Sequence, residues 1–258
     1  MRGKITRDFA RMRIIPRNRS GSHVGVILSF VIFVTFIVFL YTVIRPSVTT
    51  GENKKTILQY IENKIEENSS AEFTSISIMI SENPIGYPCI RLDQFFLLSG
   101  VSMNTITKNE TGNIQGSYYN PERGLYDLEI NRENENNLFF KIYYSPEFDN
   151  LTATGLGCEK VKYDTAYKIT SVDNDAYIFE ENIYELIDHY NSNYEKLKSE
   201  FSIPSGSEFE FTFTQNNGTK IGNESASKSV NVYAEETPVQ YIDSKANILS
   251  GFINVRVW

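Results

Sequence analysis

The sequence is poor in the residue types that most often carry chemistry. Its 258 residues include two histidines, two cysteines and one tryptophan. Two histidines cannot build a multi-histidine metal centre without carboxylates, and two cysteines exclude a disulfide-dense framework. The sequence also contains no motif of a nucleophilic serine, a nucleotide-binding loop, a zinc protease or a redox-active cysteine pair. We therefore expect no enzyme, no cofactor and no metal site.

Basic residues are concentrated at the N-terminus and are scarce relative to acids elsewhere. The chain has a net charge of −7, yet residues 1–19 hold seven basic residues against one acidic residue, Asp8. Because phosphate neutralisation needs clustered Lys and Arg, the acidic remainder argues against nucleic acid as a partner. Aromatic residues make up 13% of the chain, which excludes wholesale disorder.

Residues 24–44 lack charge entirely and separate the basic block from the acidic remainder. As a helix this stretch spans roughly 31 Å, about one hydrocarbon core. It shows no polar stripe, so we predict a transmembrane helix over residues 22–45 in a lipid bilayer. We expect Pro46 to end this helix. The positive-inside rule makes residues 1–21 a basic cytoplasmic leader and places the C-terminal region outside the cell membrane.

The boundary between the leader and the apolar run reads S-G-S-H-V-G-V-I-L over residues 20–28. This run resembles the start of archaeal type IV pilin-like proteins that carry a class III signal peptide. The resemblance implies cleavage between Gly21 and Ser22, and packing of helix 22–44 against other pilin-like subunits. It also implies a long N-terminal helix that leads into a β-rich head. The alternative is an uncleaved signal-anchor, since the apolar run is followed by no small-residue cleavage site.

An extracytoplasmic location would allow two covalent modifications. Cys89 and Cys158 form an even pair in a compartment that permits a disulfide, two free buried thiols being the alternative. Glycosylation acceptors of the form N-x-[ST] occur at Asn68, Asn109, Asn150, Asn217 and Asn223.

Hydrophobic periodicity predicts an α+β fold with antiparallel sheet beyond the membrane. Apolar residues at helical spacing predict a helix over 52–67 within a juxtamembrane segment, 46–70, and a second helix over 180–202 packed on the sheet. Residues 71–258 otherwise alternate with period two, and 155–157 are a candidate junction. We expect hairpins over 101–119, 125–144 and 163–179, and a strand at 209–213.

Three side-chain groups outside the membrane merit a chemical interpretation. Asp173-Asn174-Asp175 offers oxygen ligands of the kind Ca²⁺ prefers. The alternative is a β-turn, in which Asp and Asn are common without any metal. Glu180-Glu181 suits a glycosidase only if both carboxylates face one cleft, and otherwise suits a helix N-terminus. His189 follows Asp188, but adjacent helical residues point about 100° apart and form no dyad.

These patterns together predict a single-pass, membrane-anchored cell-surface protein of pilin-like type, glycosylated where the acceptors are used. Its role would be structural, adhesive or that of a minor pilin in assembly. The alternative is a membrane-anchored extracytoplasmic binding or receptor module that does not polymerise. An extracytoplasmic enzyme is disfavoured because the sequence shows no catalytic constellation.

Overall fold

The chain is described by a computed structural model in which helix α1 runs from His23 to Ser69. Two compact units are present, residues 1–52 and residues 53–258, and each is described by itself. Side chains of residues 44–53 are outside the description. The described residues are 23–81, 88–120, 125–130, 138–153, 157–222 and 231–258.

The part of α1 in the first unit has an apolar surface. Residues His23–Val43 form a 21-residue stretch of mean hydropathy 2.8, and none of it is buried within the protein. It is long and apolar enough to span a membrane. Its threonine hydroxyls donate back to the helix, Thr35 Oγ1 to Val31 O at 3.0 Å and Thr42 Oγ1 to Phe39 O at 2.8 Å, so they add little polarity.

Pro46 does not end this helix, contrary to the expectation from the sequence, because α1 continues to Ser69. A proline inside a helix removes one N–H donor and crowds the preceding turn. The structure nevertheless keeps the backbone helical on both sides of Pro46.

The second unit is β-rich, and β1 follows α1 directly at Ser70. Three short helices accompany the strands. The helices are α2 (Phe95–Ser99), α3 (Glu180–Ser192) and α4 (Tyr194–Glu200). The strands are β1 (Ser70–Ile80), β2 (Cys89–Leu92), β3 (Thr105–Asn109), β4 (Ile114–Gln115), β5 (Ser117–Asn120), β6 (Leu125–Glu129), β7 (Leu138–Tyr144), β8 (Glu159–Val161), β9 (Tyr167–Phe179), β10 (Phe209–Thr214), β11 (Lys220–Ile221), β12 (Tyr233–Ile242) and β13 (Ile248–Val257).

The described strands form two sheets. One has nine strands in the order β11-β10-β13-β12-β9-β1-β7-β3-β4, and the other has four in the order β5-β6-β2-β8. Pairing is antiparallel except between β2 and β8 and between β9 and β12. A large sheet with a few helices agrees with the expected α+β class.

Two of the three expected hairpins are wrong. The first exists in shortened form, since β3 pairs with β4. Strands β6 and β7, the expected second hairpin, lie in different sheets. The expected third hairpin is a single strand, because β9 runs through Asp173-Asn174-Asp175 without turning. Strand β9 pairs along its length with β1, and this long-range ladder overrides the local turn tendency of the Asx residues.

The expected helix over 180–202 is divided at Asn193. Its backbone lies at φ −153° and ψ 62°, outside the helical region. The Asn193 carbonyl then accepts the N–H groups of Lys196 and Leu197 and so begins α4. The apolar side predicted for this helix continues across the break, because Ile187, Leu197 and Phe201 all remain buried. The candidate junction at 155–157 falls mostly outside the described residues.

The first hydrophobic core lies between α1 and the C-terminal strands. Leu58, Ile61 and Ile65 recur at helical spacing and are at most 2% exposed. They pack against α3, α4 and the alternate residues Phe209, Phe211 and Phe213 of β10. A second core fills the space between the two sheets, and a smaller third core gathers around Phe73.

The start of the second unit is tied to its last strands by a lysine. Lys54 Nζ donates to Ser207 Oγ at 2.8 Å and to Trp258 O at 2.9 Å. Burial lowers the pKa of Lys54, and the nearby Glu208 carboxylate opposes that effect. Burial also disfavours the charge of Glu208, but hydrogen bonds from Lys198 and Tyr194 outweigh it and lower the pKa of that carboxyl.

The four-stranded sheet contains one buried and one exposed ion pair, and removing the aspartate of each should change stability by different amounts. Asp127 is fully buried and accepts two bonds from Arg91, at 2.7 and 2.8 Å. Asp127→Ala leaves a mostly buried guanidinium without this partner, so we expect a loss of about 3–5 kcal/mol in the free energy of unfolding. Asp93 pairs with the exposed Lys160, and Asp93→Ala should cost about 0.5 kcal/mol or less.

Denaturant unfolding of the full chain in detergent measures both changes. Equal losses for the two variants would contradict the assignment of Asp127 as the buried partner.

Candidate functional site

The residues expected to be modified are distributed over the surface and do not form one site. Gly21, Ser22 and Asn223 lie outside the described residues. Asn68, Asn150 and Asn217 are exposed, whereas Asn109 is half-buried and its side-chain oxygen accepts three hydrogen bonds from Thr111 and Asn113. Cys89 and Cys158 form a disulfide with an S–S distance of 2.02 Å.

The other sequence candidates are not assembled for catalysis. His189 Nδ1 lies 3.7 Å from Glu200 Oε2 on the half-exposed side of α3. Glu180 is occupied at the start of that helix, where it accepts hydrogen bonds from Tyr184 Oη at 2.8 Å and from Gln215. Among the described residues, no group of three or more His, Cys, Asp or Glu side chains is placed to hold a metal ion.

A groove lies instead on the solvent side of the nine-stranded sheet, across β7, β1 and β9. The register places Tyr143, Ser75 and Asp173 side by side in one row on this face. Intervening residues such as Ile76 and Ile142 point the other way, into the second core. One face of three neighbouring strands thus packs the core while the other lines the groove.

The groove consists of two depressions that share Lys141 and Tyr143. One, of about 560 Å³, lies over Phe73 and is bordered by Ile248, the first residue of β13. The other, of about 400 Å³, continues toward the β3–β4 hairpin and reaches the half-exposed Phe139. Together they make a continuous recess along the sheet rather than a closed cavity.

Aromatic rings form its floor. The Phe73 ring stacks on Tyr143 with centroids 5.4 Å apart and meets Tyr177 edge-on at 5.5 Å. Phe73 is buried while the two tyrosines are half-exposed. Burial raises the pKa of Tyr143, so its hydroxyl stays neutral at physiological pH and can both donate and accept hydrogen bonds.

Charged groups of both signs border this floor. Asp173 and Asp175 are exposed on β9, two residues apart and therefore on the same face. Lys141 is exposed on β7, on the other side of the floor. Aromatic surface flanked by hydrogen-bonding and charged side chains suits the binding of a polar ligand or a protein segment.

The sheet also opens beside the groove. Strands β9 and β12 pair at only two positions in the described residues, Tyr241 with Ile178 and Ile242 with Phe179. From there they diverge, and a wedge of about 320 Å³ lies between residues 175–178 and 237–240. Unpaired strand edges are templates for added strands, and Pro238 and exposed acids on these edges are typical of protection against such pairing.

The sequence offered little warning of this groove. Only Asp173, Asn174 and Asp175 were candidates there, either as calcium ligands or as turn residues. Tyr143, Lys141 and Phe73 come together solely through the β1–β7 ladder. A period-two pattern shows which residues share a face, but it does not show which strands are neighbours.

No protein-family model, curated protein or solved structure matches this chain.

Substitutions in the floor and at the border of the groove should differ in their effect on the free energy of unfolding. Phe73 packs against four aromatic rings, so Phe73→Ala should lower the free energy of unfolding by about 3–5 kcal/mol. Asp173→Ala removes an exposed side chain and should change it by less than about 0.5 kcal/mol. Thermal unfolding followed by circular dichroism measures both. A large loss of unfolding free energy for Asp173→Ala would show that this side chain stabilises the fold and is not a free border residue.

Proposed function

We propose that the protein is a single-pass membrane protein that displays its β-rich unit on the cell surface. The observation that carries this proposal is the surface of the first unit. Its exposed apolar side chains range from 40% exposure at Val34 to 71% at Val24. A continuous apolar surface of this kind is unfavourable in water and matches the hydrocarbon core of a bilayer.

The proposed orientation follows from charge. Seven basic residues precede the apolar stretch, and such residues are retained on the cytoplasmic side. Residues after 45 would then face the oxidising exterior, where the Cys89–Cys158 disulfide is stable. The exposed acceptors Asn68, Asn150 and Asn217 would be accessible to glycosylation there.

The proposed role is that of a pilin-like structural, adhesive or assembly subunit that packs through its membrane helix. Gly25 and Ser29 form a small-xxx-small pair, which lets helices approach closely in a membrane. Apart from the backbone of its own helix, no described residue has an atom within 4 Å of the position that a Cβ on Gly25 would take, so this side of the helix is open there. A folded unit that starts on the same helix would then be carried on the outside of the assembly.

The groove favours a second function. A recess with an aromatic floor and a charged border suits a binding or receptor module that is anchored but does not polymerise. The two functions share the membrane helix and differ in whether copies of the chain associate through it.

Anchoring is tested by one charge placed at the centre of the apolar stretch. Val34→Arg should cost about 3 kcal/mol of insertion free energy, because it places a guanidinium in hydrocarbon. We expect the wild-type chain and the control variant Val34→Leu to stay in the membrane pellet after alkaline carbonate extraction. A substantial part of Val34→Arg should move to the soluble fraction. A wild-type chain that is itself extracted would contradict anchoring.

Electron microscopy of the protein purified from its native membrane separates the two functions. Filaments that contain the chain would favour the assembly role. Dispersed particles of the mass of one chain would favour the anchored receptor, and the groove would then become the first place to search for a ligand.

A further inference from the structure

One buried cation in the second unit forms no ion pair with any described carboxylate. Lys108, on β3, is 7% exposed. Its Nζ donates to two neutral oxygens, Ala246 O and Asn247 Oδ1, each at 2.8 Å. Among the described residues no carboxylate forms an ion pair with it. A buried ammonium held only by amide oxygens is costly, because amides do not compensate the lost hydration of a full charge.

The carboxamide that meets this amine is fixed by a carboxylate on its other side. Asp243 and Asn247 lie in the turn that joins β12 to β13. Asn247 Nδ2 donates to Asp243 Oδ2 at 2.7 Å. Asp243 Oδ1 accepts the backbone N–H groups of Asn247 and Lys245, at 2.8 and 2.9 Å. The Asn247 side chain is thus held with its oxygen toward the amine and its nitrogen toward the carboxylate.

We propose that Lys108 and Asn247 join in an intramolecular isopeptide bond, with Asp243 as the group that carries the proton to the departing nitrogen. The geometry supplies each partner of an amide exchange: a nucleophilic nitrogen, an acyl carbon between it and a leaving nitrogen, and an acid–base group on the leaving nitrogen.

The atoms of the step balance without any co-reactant. The neutral Lys108 amine adds to Cγ of Asn247, which forms the Nζ–Cγ bond. The Cγ–Nδ2 bond breaks, the amine proton passes through Asp243 to Nδ2, and ammonia leaves. The product is a secondary amide that links the two side chains, and nothing is oxidised or reduced.

The surroundings favour the reactive form of the lysine. Burial lowers the pKa of Lys108, although the negative charge of Asp243 opposes this. Desolvation of this kind is how lysine amines become nucleophiles at physiological pH. Tyr143 covers the amine with its ring centroid 5.4 Å from Nζ. Because both partners are held by the fold, the reaction loses little orientational entropy.

The bond would join two parts of the sheet that the backbone links weakly. Lys108 belongs to β3, and Asn247 belongs to the β12–β13 hairpin on the other side of the wedge. Between these parts the sheet has, among the described residues, only the two pairs that connect β9 with β12. A covalent link across this point would hold the hairpin against the third core, where Ala246 packs beside Phe73.

Peptide mapping of the full-length protein tests the bond directly. Trypsin does not cleave after an acylated lysine, so the bond predicts one branched peptide in which residues 92–123 are joined to residues 246–256. Its mass should equal that of the two peptides less one ammonia. Recovery of separate, unmodified peptides 92–108 and 246–256 from the folded wild-type chain would overturn the proposal and assign Lys108 as a buried ammonium.

Two variants separate the chemistry from the fold. Asp243→Asn keeps the shape of the turn but removes the proton carrier, and we expect the branched peptide to be lost. Lys168→Arg changes an exposed lysine on β9 that does not line the groove, and we expect the branched peptide to form as in the wild type. Formation of the Cys89–Cys158 disulfide reports folding in both variants. A folded Asp243→Asn chain that links fully would contradict the role given to Asp243.

Discussion

Helix α1 passes into strand β1 between Ser69 and Ser70 with no connecting loop, and the second unit depends on this junction. The helix places Leu58, Ile61 and Ile65 in the first core. Eleven residues of β1 then pair with β9 on one side and β7 on the other. One continuous segment therefore contributes to both large cores. Ser69 at the junction is fully buried, and its hydroxyl has no hydrogen-bond partner in the described part of the chain.

The features proposed to carry function lie where the sheet is least continuous. In the described part of the chain, strand β9 pairs with β1 along its length but with β12 at only two positions. The wedge is that discontinuity, the groove lies beside it on β9, β1 and β7, and the β12–β13 turn reaches Lys108 on β3. A region with few ladder bonds is free to present side chains to a ligand, and the same region benefits most from a covalent link.

The sequence predicted the locally determined parts of this structure. The 3.6-residue spacing of α1 and the alternation of Phe209, Phe211 and Phe213 both depend on neighbouring residues, and both are found. The hairpins at 125–144 and 163–179 failed because strand partners are chosen by long-range packing. Lys108 and Asn247 are 139 residues apart, so no local pattern could have brought them together. The α3–α4 break at Asn193 was also missed, because buried apolar residues continue at helical spacing on both sides of it.

Helix α1 and strand β1 form the common support of the second unit, and native-state hydrogen exchange of the full chain in detergent tests this most directly. Amides of residues 58–69 and of β1 should exchange at the slowest rates in the protein and at the same free energy as global unfolding. If the amides of residues 58–69 exchange rapidly while those of β10 and β13 stay protected, the helix is a dispensable attachment and the account is wrong.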